Sequence, residues 1–293
     1  MVTRYLNIIL HGCILIMSVM LTSGNAGEKQ SRVISLSPHI TEIIFKIGAG
    51  SFLVGRTDFC TFPQAAAGIE SVGGYLNIDF ERITRLEPDF ILQFPNPENR
   101  RKLENLGFTV VDVPNETIGE ILAGIEKVGL VLEKSREAKR LCQHIRDTLK
   151  LVADMGQIYA DSVRAILVVG RQQGSLANIY LAGGTTYLSE IWEYSGGINT
   201  FRELNMRYFS VNEEDLLKRK VEAILEFHPG WSDAPGEREK QKYDWQVLGH
   251  LKAIVNDHIF IFTERYFVIP GPRITQVAMR FSEIIRTCRD FDP

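Results

Sequence analysis

Hydrophobic positions in this chain switch repeatedly between two periods. Residues 32–36 form a short β-branched run that predicts a strand. Ile40, Ile43, Ile44 and Ile47 then recur at helical spacing. Ser37 and Pro38 suit the start of that helix, and Gly48 suits its end. Strands are predicted at residues 52–55, 90–94 and 108–113, with a helix over 98–106 between the last two. This alternation of strand and helix implies a parallel, doubly wound sheet. Residues 117–158 contain no convincing strand. Thr117 can cap a helix to about residue 130, and Ser135 can cap a longer one of roughly 24 residues, about 36 Å at the usual rise. Ala138, Leu141, Cys142, Ile145, Leu149 and Val152 give that second helix one apolar stripe. The strand-helix pattern resumes with strands at 165–169, 221–227 and 259–263. Residues 179–184 lead into a helix over 185–194, and Pro270-Gly271-Pro272-Arg273 opens a final amphipathic helix.

One helix-to-strand unit occurs twice. Phe80 to Leu92 aligns with Glu213 to Leu225 at a constant offset, so that Glu81 matches Glu214, Asp89 matches Glu222 and Leu92 matches Leu225. A looser echo links Thr41-Glu42-Ile43-Ile44 before Gly48 with Ser189-Glu190-Ile191-Trp192 before Gly196. Two similar lobes are expected. The expected division is a leader at 1–26, a first α/β lobe at 27–116, a helical segment with an interlobe spine at 117–160, and a second α/β lobe at 161–293.

The N-terminus refines this picture. Arg4 precedes a mostly apolar run from Ile8 to Leu21, and Gly24-Asn25-Ala26 resembles a cleavage site. This predicts export with cleavage near Ala26, which takes the net charge from −3 to −4 by removing Arg4. Leu10-His11-Gly12-Cys13 is a poor lipoprotein signal, because the apolar run follows Cys13. Cys60, Cys142 and Cys288 remain, an odd number. Two could pair, or all three could be small buried hydrophobes. The 45% hydrophobic and 24% charged content is that of a globular protein, and the acidic balance argues against nucleic acid as a partner.

Several stretches together resemble a known family. Val33-Ile34-Ser35-Leu36-Ser37-Pro38-His39-Ile40-Thr41-Glu42-Ile43, Leu53-Val54-Gly55, Gly73-Gly74-Tyr75 and Leu86-Glu87-Pro88-Asp89-Phe90-Ile91-Leu92 are similar to the substrate-binding proteins of ABC importers for cobalamin and iron-siderophore complexes. The resemblance covers essentially the whole chain after the leader, including Gly271-Pro272-Arg273-Ile274. It implies an α/β fold of two doubly wound lobes joined by a long rigid α-helix, the class III arrangement. It also implies a monomer without intrinsic cofactor or catalytic residues, which holds a metal chelate in the interlobe cleft and delivers it in the periplasm to an ABC permease dimer with its ATPase subunits.

Ligands of open parallel sheets sit beyond the carboxyl ends of strands. Candidates for ligand contact there are Arg56, Asp58, Tyr75, Asn96, Arg207, Tyr208, Trp231, Arg265 and Tyr266. His39 and His228 are candidates for touching a metal centre. The resemblance makes Glu81 and Glu214 the permease-docking acids, although a carboxylate in a first helical turn is also favoured by the helix dipole alone. Thr57-Asp58-Phe59-Cys60-Thr61-Phe62-Pro63 before Gly73-Gly74-Tyr75 looks most like cobalamin-associated members. A corrinoid is therefore the first expectation, with a ferric siderophore or haem as alternatives. Dinucleotide, Walker, nucleophile-elbow and zincin signatures are absent. An exported α/β enzyme stays open as a different class, as does a bare metal-ion binder, though the five histidines beyond the leader are scattered.

Overall fold

Two sheets of helix-connected strands organise the chain in a computed structural model that describes residues 30–75, 77–158, 162–232 and 234–290. The expected leader lies outside the described residues. In the first sheet, β1 (Val33–Ser35), β2 (Leu53–Arg56), β3 (Phe90–Gln93) and β4 (Val110–Asp112) are all parallel, in the order β2-β1-β3-β4. Helices α1 (Pro38–Lys46), α2 (Phe80–Arg85) and α3 (Pro97–Asn105) lie between these strands in the chain. Pro38 stands at the first helical position as predicted, but the Ser37 side chain does not cap α1. Its hydroxyl lies 2.7 Å from His39 Nδ1 instead.

The second sheet contains β5 (Val163–Gly170), β6 (Ile179–Ala182), β7 (Gly197–Asn199), β8 (Tyr208–Val211), β9 (Ala223–Phe227) and β10 (Ile259–Phe262). Its parallel strands run β7-β5-β9-β10, which reproduces the order of the first sheet strand for strand. Helix α2 and its strand β3 each begin 133 residues before α7 (Glu213–Leu217) and β9. The looser echo also has a structural counterpart. Helix α1 and helix α6 (Tyr187–Tyr194) are followed by Gly48 and Gly196, at φ of 74° and 94°, where a Cβ would be strained. The sequence pattern missed one departure from this symmetry. Strand β6 pairs antiparallel with the carboxyl half of β5, and β8 pairs antiparallel with β6 at the sheet edge. Their alternation spans only four residues each, too short to reveal strand direction.

Between the sheets run α4 (Ile118–Val131) and α5 (Ser135–Gly156). Thr117 caps α4, accepting a hydrogen bond from the Glu120 amide at 3.1 Å. Helix α5 has 22 residues, roughly 33 Å of rigid rod. Ala138, Cys142, Ile145, Leu149 and Val152 are its buried face, and Leu141 is half-buried. Helix α8 (Glu237–Tyr243), the short α9 (Lys252–Val255) and the terminal α10 (Ile274–Asp290) complete the chain.

One hydrophobic cluster reaches from Val33 and Ile40 of the first sheet side, through Ile145 and Val152 of the spine, to Ala165, Phe227 and Phe281 of the second. Separate clusters cover the outer faces of each sheet, around Ile34 and Leu103, and around Ile166 and Trp245. At the end of the spine, Gly156 meets the turn after α6 so closely that a Cβ would lie 2.7 Å from the Ser195 carbonyl. Cys60, Cys142 and Cys288 are buried free thiols, and burial pushes the Cys142 and Cys288 thiols up to about 11 and about 12. No helix among the described residues is long and apolar enough to cross a membrane.

Because Ile145 is fully buried in the shared core, Ile145→Ala leaves a cavity that both sides line. It is expected to lower unfolding free energy by about 2–5 kcal/mol. Leu151→Ala on the exposed side of the same helix should change it by less than about 0.5 kcal/mol. Urea unfolding of the two variants checks this contrast.

Candidate functional site

The carboxyl ends of the two sheets converge. Gly271, just before α10, packs against His39 at the start of α1, where an added Cβ would lie 3.2 Å from that of His39. Arg265, after β10, donates to the Thr61 hydroxyl in the loop after β2, at 3.3 Å. Arg273 donates two hydrogen bonds to the Glu42 carboxylate in α1, at 2.6 and 2.8 Å. The Glu42 side chain is almost fully buried and that of Arg273 largely so. Burial raises the Glu42 carboxyl above its usual value, against the pull of the Arg273 hydrogen bonds and charge. The Arg273 guanidinium also sits 4.1 Å from the centre of the Phe62 ring and 5.6 Å from that of Tyr266.

On the first side, Tyr75 and Asn96 stand together. The Asn96 amide donates to the Tyr75 hydroxyl at 3.2 Å, while the Asn96 carbonyl oxygen caps α3 through the Asn99 amide. Tyr75, Phe59 and Phe62 are exposed aromatics around this edge. Asp58 accepts from the Ser71 hydroxyl at 2.5 Å. The Arg56 guanidinium is spent on the Ala66, Thr57 and Ala67 carbonyls, so it shapes the loop it sits under.

His39 is a core residue in this arrangement. It is 2% exposed, Nε2 lies 3.2 Å from the Val113 carbonyl, and Nδ1 lies within 2.7 Å of the Ser37 hydroxyl and 3.1 Å of the Asn115 amide. Contact between His39 and a metal centre does not fit this geometry, because protein groups occupy both nitrogens. His228 is also buried, stacked at 3.6 Å and within 1° on Trp231. Its Nε2 lies 2.7 Å from Glu226 Oε1, out of line for a hydrogen bond.

Beneath that stack is an ionic cluster that the sequence reading did not single out. Arg171 and Glu226 have fully buried side chains and meet at 2.6 Å. Arg171 also pairs with Asp244 at 2.7 Å, and Trp245 Nε1 donates to Glu226 at 2.8 Å. The Arg171 guanidinium lies 5.0 Å from the Trp231 ring centre, so Trp231 is held by both His228 and Arg171. The available signal was Glu226 itself, a lone charge inside the apolar run of β9.

Further along the second side, Tyr180 of β6 stacks on Tyr208 of β8 with ring centres 6.0 Å apart. Tyr208 is pushed up to about 12 by burial and then by the Glu116 charge. Arg207 is exposed and lies 3.9 Å from Glu120. Tyr187 donates its hydroxyl to the Phe267 carbonyl at 2.6 Å. A concavity of about 1060 Å³ between α4, α5 and α6 contains none of these residues. Arg146, Lys150, Asp154 and Glu193 give it mixed charge, unlike the aromatic carboxyl edge. Glu81 and Glu214 both lie exposed in the first turns of the matching helices α2 and α7. Glu214 also pairs with Lys218 at 2.7 Å.

Burial lowers the His39 imidazole from 6.5 to about 4 in the folded protein. The unfolded chain therefore takes up a proton that the native protein refuses as pH falls below about 6.5, and the resulting loss of stability is complete near pH 4. His39→Gln is expected to flatten the stability profile in that window, by up to about 1.4 kcal/mol per pH unit. Denaturant unfolding of both proteins at a series of pH values measures it.

Comparison with known proteins bears on this aromatic, lobe-bridging edge. A vitamin B12-binding protein from Vibrio cholerae serotype O1 is 29% identical over 247 residues, covering 83% of this chain and 84% of the relative. One from Yersinia pestis is 28% identical over 217 residues, covering 72% and 74%. The crystal structure of the periplasmic vitamin B12-binding protein of Vibrio cholerae shares the fold with a TM-score of 0.74 at 24% identity, over 88% of this chain and 98% of that one. A periplasmic haem-binding protein from Pseudomonas aeruginosa does so with a TM-score of 0.73 at 20% identity, over 87% and 92%. The "Periplasmic binding protein" family matches residues 33–266, and with its class III architecture the chain belongs to that family of substrate-binding proteins.

Proposed function

We propose that the protein captures a cobalamin-type corrinoid between its two carboxyl edges, in the periplasm, and hands it to an ABC permease dimer driven by its ATPase subunits. The observation that carries the ligand class is the state of the arginines. Arg56 is committed to three loop carbonyls, Arg207 lies near Glu120, Arg265 reaches Thr61, and Arg171 and Arg273 are paired with buried carboxylates. A polyanionic ferric siderophore or the carboxylates of haem call for arginines that can turn to the ligand. The remaining surface of Phe59, Phe62, Tyr75, Tyr208 and Trp231 suits a large, amide-decorated ligand of low charge, while Tyr266 turns to the groove between α5 and α10. The named relatives of similar length support the same choice, since several are vitamin B12-binding proteins.

In this reading the chain acts as a monomer by binding without turnover. Its working parts are a leader ending near Ala26, a first lobe at 27–116, a helical segment at 117–160 and a second lobe at 161–293. Asp58 and Asn96 orient the ligand, Arg207 and Arg265 brace the rim through Glu120 and Thr61, and Arg56 supports the loop beneath it. His39 and His228 back the walls without ligating cobalt. The rigid spine and the continuous core favour small movements of the lobes. Glu81 and Glu214, equivalent in the duplicated plan, are the contacts for the permease. Two like charges at matching places on two lobes suit a two-fold symmetric partner.

Calorimetric titration of the mature protein with cyanocobalamin, haem and ferric siderophores tests the ligand. Tight one-to-one binding of the corrinoid alone is expected, and preferential binding of a siderophore or haem would overturn the choice. The docking assignment has its own test, reversal of both Glu81 and Glu214 to Lys. Corrinoid affinity should stay at the wild-type value while uptake by cells falls to background. Undiminished uptake removes these two residues from the permease interface.

A further inference from the structure

The order of the second sheet reverses between β5 and β9. From β5 the chain continues to β6 and β7 on one side, and from β9 it continues to β10 on the other. The carboxyl ends of these two adjacent parallel strands thus flank a switch point, where open sheets hold their ligands. Arg171 stands directly after β5, and the turn from His228 to Trp231 directly after β9. That turn is tied down. The His228 amide donates to the Phe262 carbonyl at 2.8 Å, the Trp231 amide donates to the His228 carbonyl at 3.2 Å, and Gly230 takes a φ of 106°. Trp231 is half-buried, with its ring centre 3.6 Å from that of His228 and 5.0 Å from the Arg171 guanidinium. Glu226 reaches both of these neighbours, since its Oε1 lies 2.6 Å from Arg171 Nε and 2.7 Å from His228 Nε2. Arg171 cannot turn to a ligand. Asp244, at 2.7 Å, and the Ser175 and Gln241 carbonyls, each at 3.0 Å, hold its two terminal nitrogens.

The first sheet has a matching device. Its order reverses between β1 and β3, and Gln93 of β3 holds the place of Glu226 in the repeat, since 226 − 93 = 133. Gln93 is buried, and its amide donates to the Asn96 carbonyl at 3.1 Å and to Asp112 at 2.9 Å. Asn96 in turn donates to the Tyr75 hydroxyl. In each lobe a buried polar side chain at one position of the central strand therefore supports the loop beyond that strand. A buried ion pair is a poor device for stability alone, since an apolar replacement of similar volume is often as stable. What an apolar side chain cannot supply is a planar cation, fixed on several sides, against an aromatic ring. We infer that Arg171 and Glu226 are positioning residues for ligand capture: the buried pair fixes the stack of Trp231 on His228, so that Trp231 meets the ligand in one orientation. The inference rests on the proposed binding of a corrinoid in the cleft. It makes both residues determinants of affinity although neither touches the ligand.

Two measurements test it, one of them without ligand. Trp192 and Trp245 are fully buried, so the part of the tryptophan emission open to acrylamide belongs to Trp231. Arg171→Lys keeps the charge and loses the planar fork. It should enlarge the quenched part of the emission, and the gain should vanish when Trp231→Ala is added. The second measurement is calorimetric titration with cyanocobalamin. Arg171→Lys should weaken binding about tenfold while the stoichiometry stays at one. In the Trp231→Ala background the same change should cost far less, because it acts through that ring. If Arg171→Lys does not fold, Glu226→Gln serves in both measurements and should shift them in the same sense. Its amide oxygen can still accept from Trp245, while the charge opposite Arg171 is gone. Unaltered quenching or unchanged affinity in the folded variant overturns the inference, as does full additivity with Trp231→Ala. A drop in stoichiometry at constant affinity overturns it too, since that reports lost folded protein and no repositioning. Wild-type protein that binds no corrinoid would instead sink the corrinoid reading, and the inference with it, whatever the quenching shows.

Discussion

Everything at the binding edge depends on one apolar core being shared between two sheets. Parallel strands must be covered on both faces, and the helices that cover them here belong to both halves of the chain. The buried stripe of the spine helix, from Ala138 to Val152, packs in the same cluster as Val33 of the first sheet and Ala165 of the second. Neither side can bury its inner helices without the other. The relative placement of the sheets is thus fixed by side-chain packing across tens of ångströms, and the carboxyl ends of the strands inherit that placement. A flexible linker would leave the same residues without a defined separation.

On this frame the charges near the ligand edge are paired inward. Arg171 with Glu226 and Asp244 lies under Trp231, and Arg273 with Glu42 lies under Phe62 and Tyr266. Arg171 satisfies its donors with carboxylates and carbonyls, Arg273 with the Glu42 carboxylate, and each sits against an aromatic ring. The ring is left with its other surface and its edge. Two structurally separate clusters therefore arrive at the same solution, an aromatic surface stiffened from behind by a paired guanidinium.

The duplication explains why the edges match and where they differ. The strand orders β2-β1-β3-β4 and β7-β5-β9-β10 are the same, and α2 and α7 place Glu81 and Glu214 at equivalent points. The second sheet adds β6 along the carboxyl half of β5 and β8 beyond it. That addition places Tyr180, Tyr208 and Arg207 on one side only, so the two carboxyl edges differ although the frame is nearly symmetric.

The alternating elements, the spine helix, the repeated helix-to-strand unit and the family resemblance were legible in the chain, because each depends on local periodicity or on order along it. Strand β5 and helix α4 lie within two residues of their predicted limits for that reason. The sequence also placed Asn96, Trp231 and Tyr266 after strand ends and Tyr75 in a loop, where open parallel sheets put their ligand contacts. Which groups are already occupied depends on contacts between distant segments. Arg56 and His39 look available in the sequence and are taken up by loop carbonyls, Ser37, Asn115 and Val113. Arg273 was legible as part of Gly-Pro-Arg-Ile, but its partner Glu42 lies 231 residues earlier, beyond any local pattern. Pairing of buried charges and stacking of rings are contacts between distant segments, and their energetics depend on burial that no stretch of sequence contains.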